Sequence, residues 1–194
     1  MRTLPLYREE GVGSGTLPSG PDIRIAAESP TPHSPLPEVP LRSAALGDVP
    51  QLERLMAPYV ASGDLLPRSN YDLCRHIKEY VVAETPAGEI VACGSLKIYS
   101  LQLAEVAGLA VHSEWQGAGL GRSLLDALVN EARSHGLAEV LALTRKPAFF
   151  VKAGFGLAER EHFPIKVWAD CQRCPRNNCC DEIAVTLRLK DGQD

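Results

Sequence analysis

No uninterrupted apolar run in this 194-residue sequence approaches the roughly 18 to 20 residues needed to cross a bilayer. The N-terminus carries charges where a secretory signal would have its apolar segment, so a cytoplasmic chain is expected. Positive charge is not in excess either: 20 Lys and Arg against 24 Asp and Glu leave a net charge of -4. Nucleic acid and anionic membranes need a clustered basic surface and are not expected as partners, whereas a small diffusible molecule is. There is no internal repeat and no phosphate loop ending in Gly-Lys-Ser/Thr. With 45% hydrophobic and 23% charged residues the chain can bury one sizeable core, too little for two full domains. Its six cysteines, in a reducing compartment, are expected as thiols or metal ligands rather than disulfides.

Residues 1 to about 40 carry eight prolines, from Pro5 to Pro40, among glycine and serine, with little hydrophobic periodicity. Such a composition buries too little apolar surface to offset the entropy lost on ordering. A disordered extension is expected over 1–40, with Ile23 to Ile25 as a possible edge strand, followed by one folded domain over 41–194. A short strand from Leu41 to Ala45 leads to Asp48, read as a helix N-cap with Pro50 in the first turn. The helix that follows carries Leu52, Leu55, Met56 and Tyr59 on one face. A second helix is expected from Ser69 to Glu79. Strands Tyr80 to Glu84 and Ile90 to Tyr99 flank the Pro86-Ala87-Gly88 turn, and a third runs from Leu103 to Val111. Leu120, Leu124 and Leu128, with Leu125, Val129 and Ala132, make a helical stripe ended by Gly136. Val140 to Leu143 reads as a buried strand, Pro147 to Ala153 as a short helix and Ile183 to Leu189 as a final strand. This order describes an α/β domain, a mixed sheet with helices on its faces.

Between the third strand and the striped helix stands Gln116-Gly117-Ala118-Gly119-Leu120-Gly121-Arg122. Small residues there let backbone N–H groups approach a ligand, and the helix end adds unpaired donors and a positive dipole, which suits a diphosphate. Arg122 opposes that dipole, so its position makes more sense with an anion nearby. A dinucleotide fingerprint would need a parallel strand-helix-strand unit, whereas this turn follows a hairpin. A glycine-rich turn that holds nothing is the remaining alternative.

The stretch Leu109 to Arg122 resembles the central motif of the GNAT acetyltransferases, Gln/Arg-x-x-Gly-x-Gly/Ala after an apolar strand, with Gln116, Gly119 and Gly121 at its defining positions. Phe149-Phe150-Val151-Lys152-Ala153-Gly154-Phe155 resembles the second motif, a short helix ending in Lys-x-Gly-Phe. The resemblance implies a mostly antiparallel mixed sheet, splayed at the cofactor by a bulge, and direct transfer of acetyl from acetyl-CoA to an amine. By the same resemblance Leu109, Ala110 and Val111 pair with the pantetheine arm. Gln116, Gly117, Ala118, Gly119, Gly121 and Arg122 then hold the pyrophosphate, and a homodimer is the common state.

An attacking amine must lose its proton, and Glu105 is the first candidate for the base. Strict alternation puts it on one face with Leu103, Ala107 and Leu109, partly desolvated; a cross-strand ion pair with Lys97 is the other reading. A tyrosine that often protonates the leaving thiolate is replaced here by Phe150. His112 and Ser113 are read as core or surface residues.

The segments Ala104 to His112 and Phe163 to Trp168, followed by Asp170-Cys171-x-x-Cys174-Pro175, are similar to short amino-acid N-acetyltransferases of the N-acetylglutamate synthase type. That resemblance implies L-glutamate as acceptor and a place in arginine biosynthesis. Two carboxylates on the acceptor want two cations, and Arg68, Lys97, Arg145 and Lys166 are the candidates. Another small amine, a peptide N-terminus or a non-catalytic acyl-CoA-binding module are the alternatives. Cys171, Cys174, Cys179 and Cys180 could enclose a zinc ion, act as a redox pair or remain simple thiols. Adjacent Cys179 and Cys180 cannot easily share one ion, so no metal is expected. Cys74 and Cys93 are read as packing residues.

Overall fold

A computed structural model describes residues 39–169, 171–174 and 179–189. The expected extension over 1–40 lies outside the described residues but for its last two positions. Val39 is buried and the Pro40 carbonyl accepts the Glu84 N–H, so both belong to the folded unit.

Among the described residues seven strands form one sheet in the order β1-β2-β3-β4-β5-β7-β6. They are β1 (Leu41–Ser43), β2 (Tyr80–Glu84), β3 (Ile90–Ile98), β4 (Leu103–Val111), β5 (Glu139–Thr144), β6 (Gly156–Ala158) and β7 (Ile183–Arg188). Every pairing is antiparallel except β4 with β5. The three-residue β6, too short to show alternation, had no signature in the sequence; its ladder to β7 creates it.

Helices α1 (Val49–Ala61) and α2 (Asn70–His76) pack on one face, where Leu52, Leu55 and Leu73 meet Val82 and Cys93. Helix α3 (Leu120–Ser134) covers the other, with its predicted stripe buried against Leu96, Val106 and Val140. Leu124, Leu125 and Leu128 are wholly inaccessible, each contributing about 1.5–3 kcal/mol of burial. Gly136, at φ 71°, ends the stripe in the left-handed conformation that glycine adopts without penalty. Covered on both sides, β3 is buried from Ile90 through Leu96.

One local expectation changes. Ser69 does cap α2, exchanging hydrogen bonds with Asp72, and a 3₁₀ turn over Ile77–Glu79 completes the expected span. Asp48 does not cap α1: its carboxylate accepts the Ala45 N–H at 2.8 Å and takes both terminal nitrogens of Arg42 at 2.7 and 3.0 Å. Asp48 ends a 3₁₀ turn over Leu46–Asp48 and has helical backbone angles, so it points back into that turn.

The cleft arises where β4 leaves β5. They pair only at Leu103, Ala104 and Glu105. Beyond Glu105, Gly108 takes φ 62° and β4 bulges against β3. The extra residue reverses the alternation, so Leu109 turns toward Leu128 of α3 while Ala110 joins the α1 and α2 face. Glu105 therefore shares its face with Leu103 and Ala107 but not with Leu109, as strict alternation had implied.

Candidate active site

Gly117 and Gly119 adopt φ 81° and 88°, and Gly119 is the N-cap of α3. A Cβ at either would meet nothing within 4 Å, so glycine serves the backbone conformation there and the turn has an open floor. At Gly121 a Cβ would lie 3.6 Å from Phe149 and Val111, an ordinary contact. Arg122 has a partner of its own: Nε reaches both carboxylate oxygens of Asp126 at 2.9 and 2.8 Å, and Nη1 donates to the Lys152 carbonyl at 3.2 Å. The cation at the positive helix end is thus offset from within α3.

Tyr59 of α1, read in the sequence only as part of an apolar stripe, reaches the diverging edge of β4. Its hydroxyl donates to the Val111 carbonyl, receives the Val111 N–H at 3.3 Å and receives Gln116 Nε2 at 2.9 Å. Strand edge groups stripped of a neighbour need partners, and a side chain from α1 supplies them here. Nothing in the spacing around Tyr59 signals this.

A cavity of about 510 Å³ extends from the glycine turn along β4 to Ala107 and Gly108. On its far wall stand Phe149 and Phe150 of α4 (Pro147–Val151). Phe150 is buried and packs edge-on against Phe149 and Phe155, at 5.1 and 5.4 Å between ring centres. A second cavity of about 100 Å³ adjoins the first, sharing Asp64, Leu65, Ala107, Gly108 and Leu143 with it.

Glu105, 4% exposed, lines that smaller cavity. The Tyr99 hydroxyl donates to its Oε2 at 2.7 Å, and Lys166 Nζ donates to the same oxygen at 2.8 Å and to the Tyr99 oxygen at 3.2 Å. Among the described residues Oε1 has no hydrogen-bond partner. A carboxylate gripped on one oxygen keeps a proton-accepting oxygen in fixed position. Lys97 stands opposite Glu105 in the β3–β4 register, yet among the described residues Glu105's ion partner is Lys166. The reason is α5 (Pro164–Ala169), which the sequence did not announce as a helix and which brings Lys166 onto this face.

The predicted acceptor-side cations part company. Arg68 and Lys166 line the smaller cavity, joined by Arg160, which was not anticipated; Lys97 lines neither cavity. Arg145 lines the larger one, bound to Asp64 at 3.2 Å and Asp181 at 2.9 Å. Lys146 also holds Asp64, at 3.2 Å, and with Arg145 keeps that carboxyl below the usual carboxylate range. Burial, aided by the Glu105 charge, pushes the Glu182 carboxyl of the same wall upward. Neither His112 nor Ser113 lines these cavities. Cys171, Cys174 and Cys180 line the smaller one, but among the described residues no group of His, Cys, Asp or Glu is arranged to hold a metal. Cys93 is wholly buried, its thiol pushed up to about 12, whereas Cys74 is only half-buried.

Residues 50–155, more than half of the chain, match the Acetyltransferase (GNAT) family. The chain belongs to that family. An N-acetyltransferase of Chlorobaculum tepidum is 34% identical over 155 residues, covering 80% of this chain and 99% of the relative. An amino-acid acetyltransferase of Neisseria meningitidis is 34% identical over 142 residues, 72% of this chain but 32% of the relative. The crystal structure of N-acetylglutamate synthase from Neisseria gonorrhoeae, complexed with coenzyme A and N-acetyl-glutamate, superposes with a TM-score of 0.72 at 29% identity. It matches 79% of this chain and 36% of its own, so the GNAT chain described here spans about a third of each Neisseria protein. In this acetyltransferase the family match stops at Phe155, leaving Arg160, Lys166 and the cysteine-bearing wall of the small cavity beyond it.

Proposed function

We propose that this acetyltransferase transfers the acetyl group of acetyl-CoA to the α-amino group of an amino acid, L-glutamate foremost. The observation that carries the reading is Glu105, anchored on Oε2 beside the junction of the two cavities. The larger cavity takes the cofactor, with pantetheine along β4 and pyrophosphate over Gly117 to Arg122. Tyr59 would have to yield the Val111 backbone groups, or the arm would have to pair with Leu109 and Ala110 alone.

Glu105 Oε1 takes a proton from the acceptor ammonium. The freed amine attacks the thioester carbon, a C–N bond forms and the C–S bond breaks; CoA leaves as thiolate, and the proton still in excess on the attacking nitrogen passes to that thiolate or to solvent as the neutral amide forms. Since Phe150 offers no hydroxyl, another group serves or the thiolate leaves unassisted. Lys166 is committed to Glu105, so Arg68 and Arg160 are the cations left for the acceptor carboxylates. A cavity of about 100 Å³ favours one amino acid over a peptide. Coenzyme A and N-acetyl-glutamate in the Neisseria gonorrhoeae enzyme support the same acceptor, and with it a place in arginine biosynthesis. Phe150 favours a second reading, a non-catalytic acyl-CoA-binding module.

CoA release measured against a panel of amino acids tests both. Turnover strongest with glutamate is expected. Tight acetyl-CoA binding without turnover would sink the enzyme reading, and a preference for lysine, methionine or a peptide would sink glutamate.

A further inference from the structure

The thiols of the small cavity are the feature that acetyl transfer leaves unused. Cys171 opens a 3₁₀ turn over Cys171–Arg173, and the Cys174 N–H donates to the Cys171 carbonyl at 3.1 Å. A turn closed in this way holds its first and fourth Cα atoms within about 7 Å. A disulfide spans about 4.4–6.8 Å between Cα atoms, so the pair can be joined without remaking the turn. Both residues are free thiols on the cavity that contains Glu105 and Lys166. Cys174 is the more accessible and Cys171 is buried, and the turn packs against α5, which carries Lys166.

We propose that Cys171 and Cys174 form a redox-modification site whose reversible disulfide closes the acceptor cavity while leaving the cofactor cleft open. With hydrogen peroxide as oxidant, the Cys174 thiolate attacks one peroxide oxygen. An S–O bond forms, the O–O bond breaks, and the departing hydroxide takes a proton to become water. Cys171, whose thiol burial keeps protonated, gives up that proton as its sulfur attacks the sulfenic sulfur, forming S–S and expelling the second oxygen as water. Two thiols lose two electrons and one peroxide becomes two waters. Closing the bond draws the buried Cys171 sulfur toward Cys174 across the wall that both share with Lys166 and Glu105, and so narrows the acceptor cavity. Among the described residues no cysteine lines the larger cavity, so acetyl-CoA binding is untouched.

The consequence for turnover rests on the acceptor reading above. The test uses the full chain, reduced or treated with hydrogen peroxide, with thiols alkylated and peptides mapped by mass spectrometry. A Cys171–Cys174 disulfide is expected, with CoA release slowed about tenfold, acetyl-CoA affinity unchanged by calorimetry and both effects undone by dithiothreitol. In Cys174→Ser the ratio of reduced to oxidised rate, taken within the variant, falls to one. Absence of the bond, a bond without slower turnover, or slowing that persists in Cys174→Ser overturns the proposal. If the reduced chain acetylates no amino acid, the acceptor reading fails by itself, and peptide mapping still decides whether the thiol pair exists.

Discussion

Lys166 Nζ and the Tyr99 hydroxyl converge on one oxygen of Glu105, at 2.8 and 2.7 Å, although Lys166 lies 61 residues away along the chain. The pair is almost wholly buried, with side-chain exposures of 8% and 5%. Removing one partner of such a pair strands the other charge away from water. Lys166→Met is therefore expected to lower stability by about 3–5 kcal/mol in urea unfolding. Adding Glu105→Leu should recover much of that loss, and a double variant no more stable than the single one would show that the pair is not the cause.

Glu105→Gln keeps the shape of the side chain and removes its capacity to take a proton. CoA release should fall by about a hundredfold or more. The loss should be greatest below neutral pH, where few amines are already unprotonated. A pH profile parallel to that of the unaltered enzyme would remove Glu105 from the role of base.

Tyr99→Phe deletes a hydrogen bond to a buried carboxylate and should cost about 1.5–3 kcal/mol of stability. If Tyr99 positions Glu105, kcat falls while the KM for acetyl-CoA stays constant. Equal changes in both would point to general disorder of the site.

At φ 88° the backbone of Gly119 suits few other residues. Gly119→Ala should destabilise the fold by about 1–2 kcal/mol and weaken acetyl-CoA binding in calorimetry. Gly121→Ala, whose added methyl makes only ordinary contacts, serves as the comparison and should leave stability nearly unchanged.

Arg42 donates to Asp48 and holds its carboxyl below the usual carboxylate range. A carboxyl depressed on folding contributes stability that is present above its unfolded value, about 3.9, and is lost as pH falls through the folded value. Asp48→Asn should thus be less stable than the parent at neutral pH, the two converging in thermal melts as pH falls through the folded value. Burial raises Glu182 instead, so its ionisation opposes folding as pH climbs past the ordinary carboxylate range, and Glu182→Gln should flatten that decline.

The opening and closing of the cleft were unequally legible. Leu103 to Val111 has the predicted bounds of its strand, and the stripe from Leu120 to Ala132 is buried as its spacing required. Gly117, Gly119 and Gly136 all take positive φ, a demand that their neighbours along the chain create. These features depend on residues a few positions apart, where backbone geometry and side-chain periodicity act directly, and they suffice to place the GNAT motifs.

Everything that defines the acceptor side depends instead on what the chain brings together from afar. The bulge at Gly108 set which face Leu109 occupies, α5 exchanged Lys97 for Lys166 as the partner of Glu105, and Tyr59 satisfied a strand edge from another element. Arg160 and the cysteine turn reach the cavity from the stretch between β6 and β7, two strands that pair with each other. A buried charge or an unpaired strand edge must find a partner, but local sequence states only the need, and the packing of distant elements decides which residue meets it.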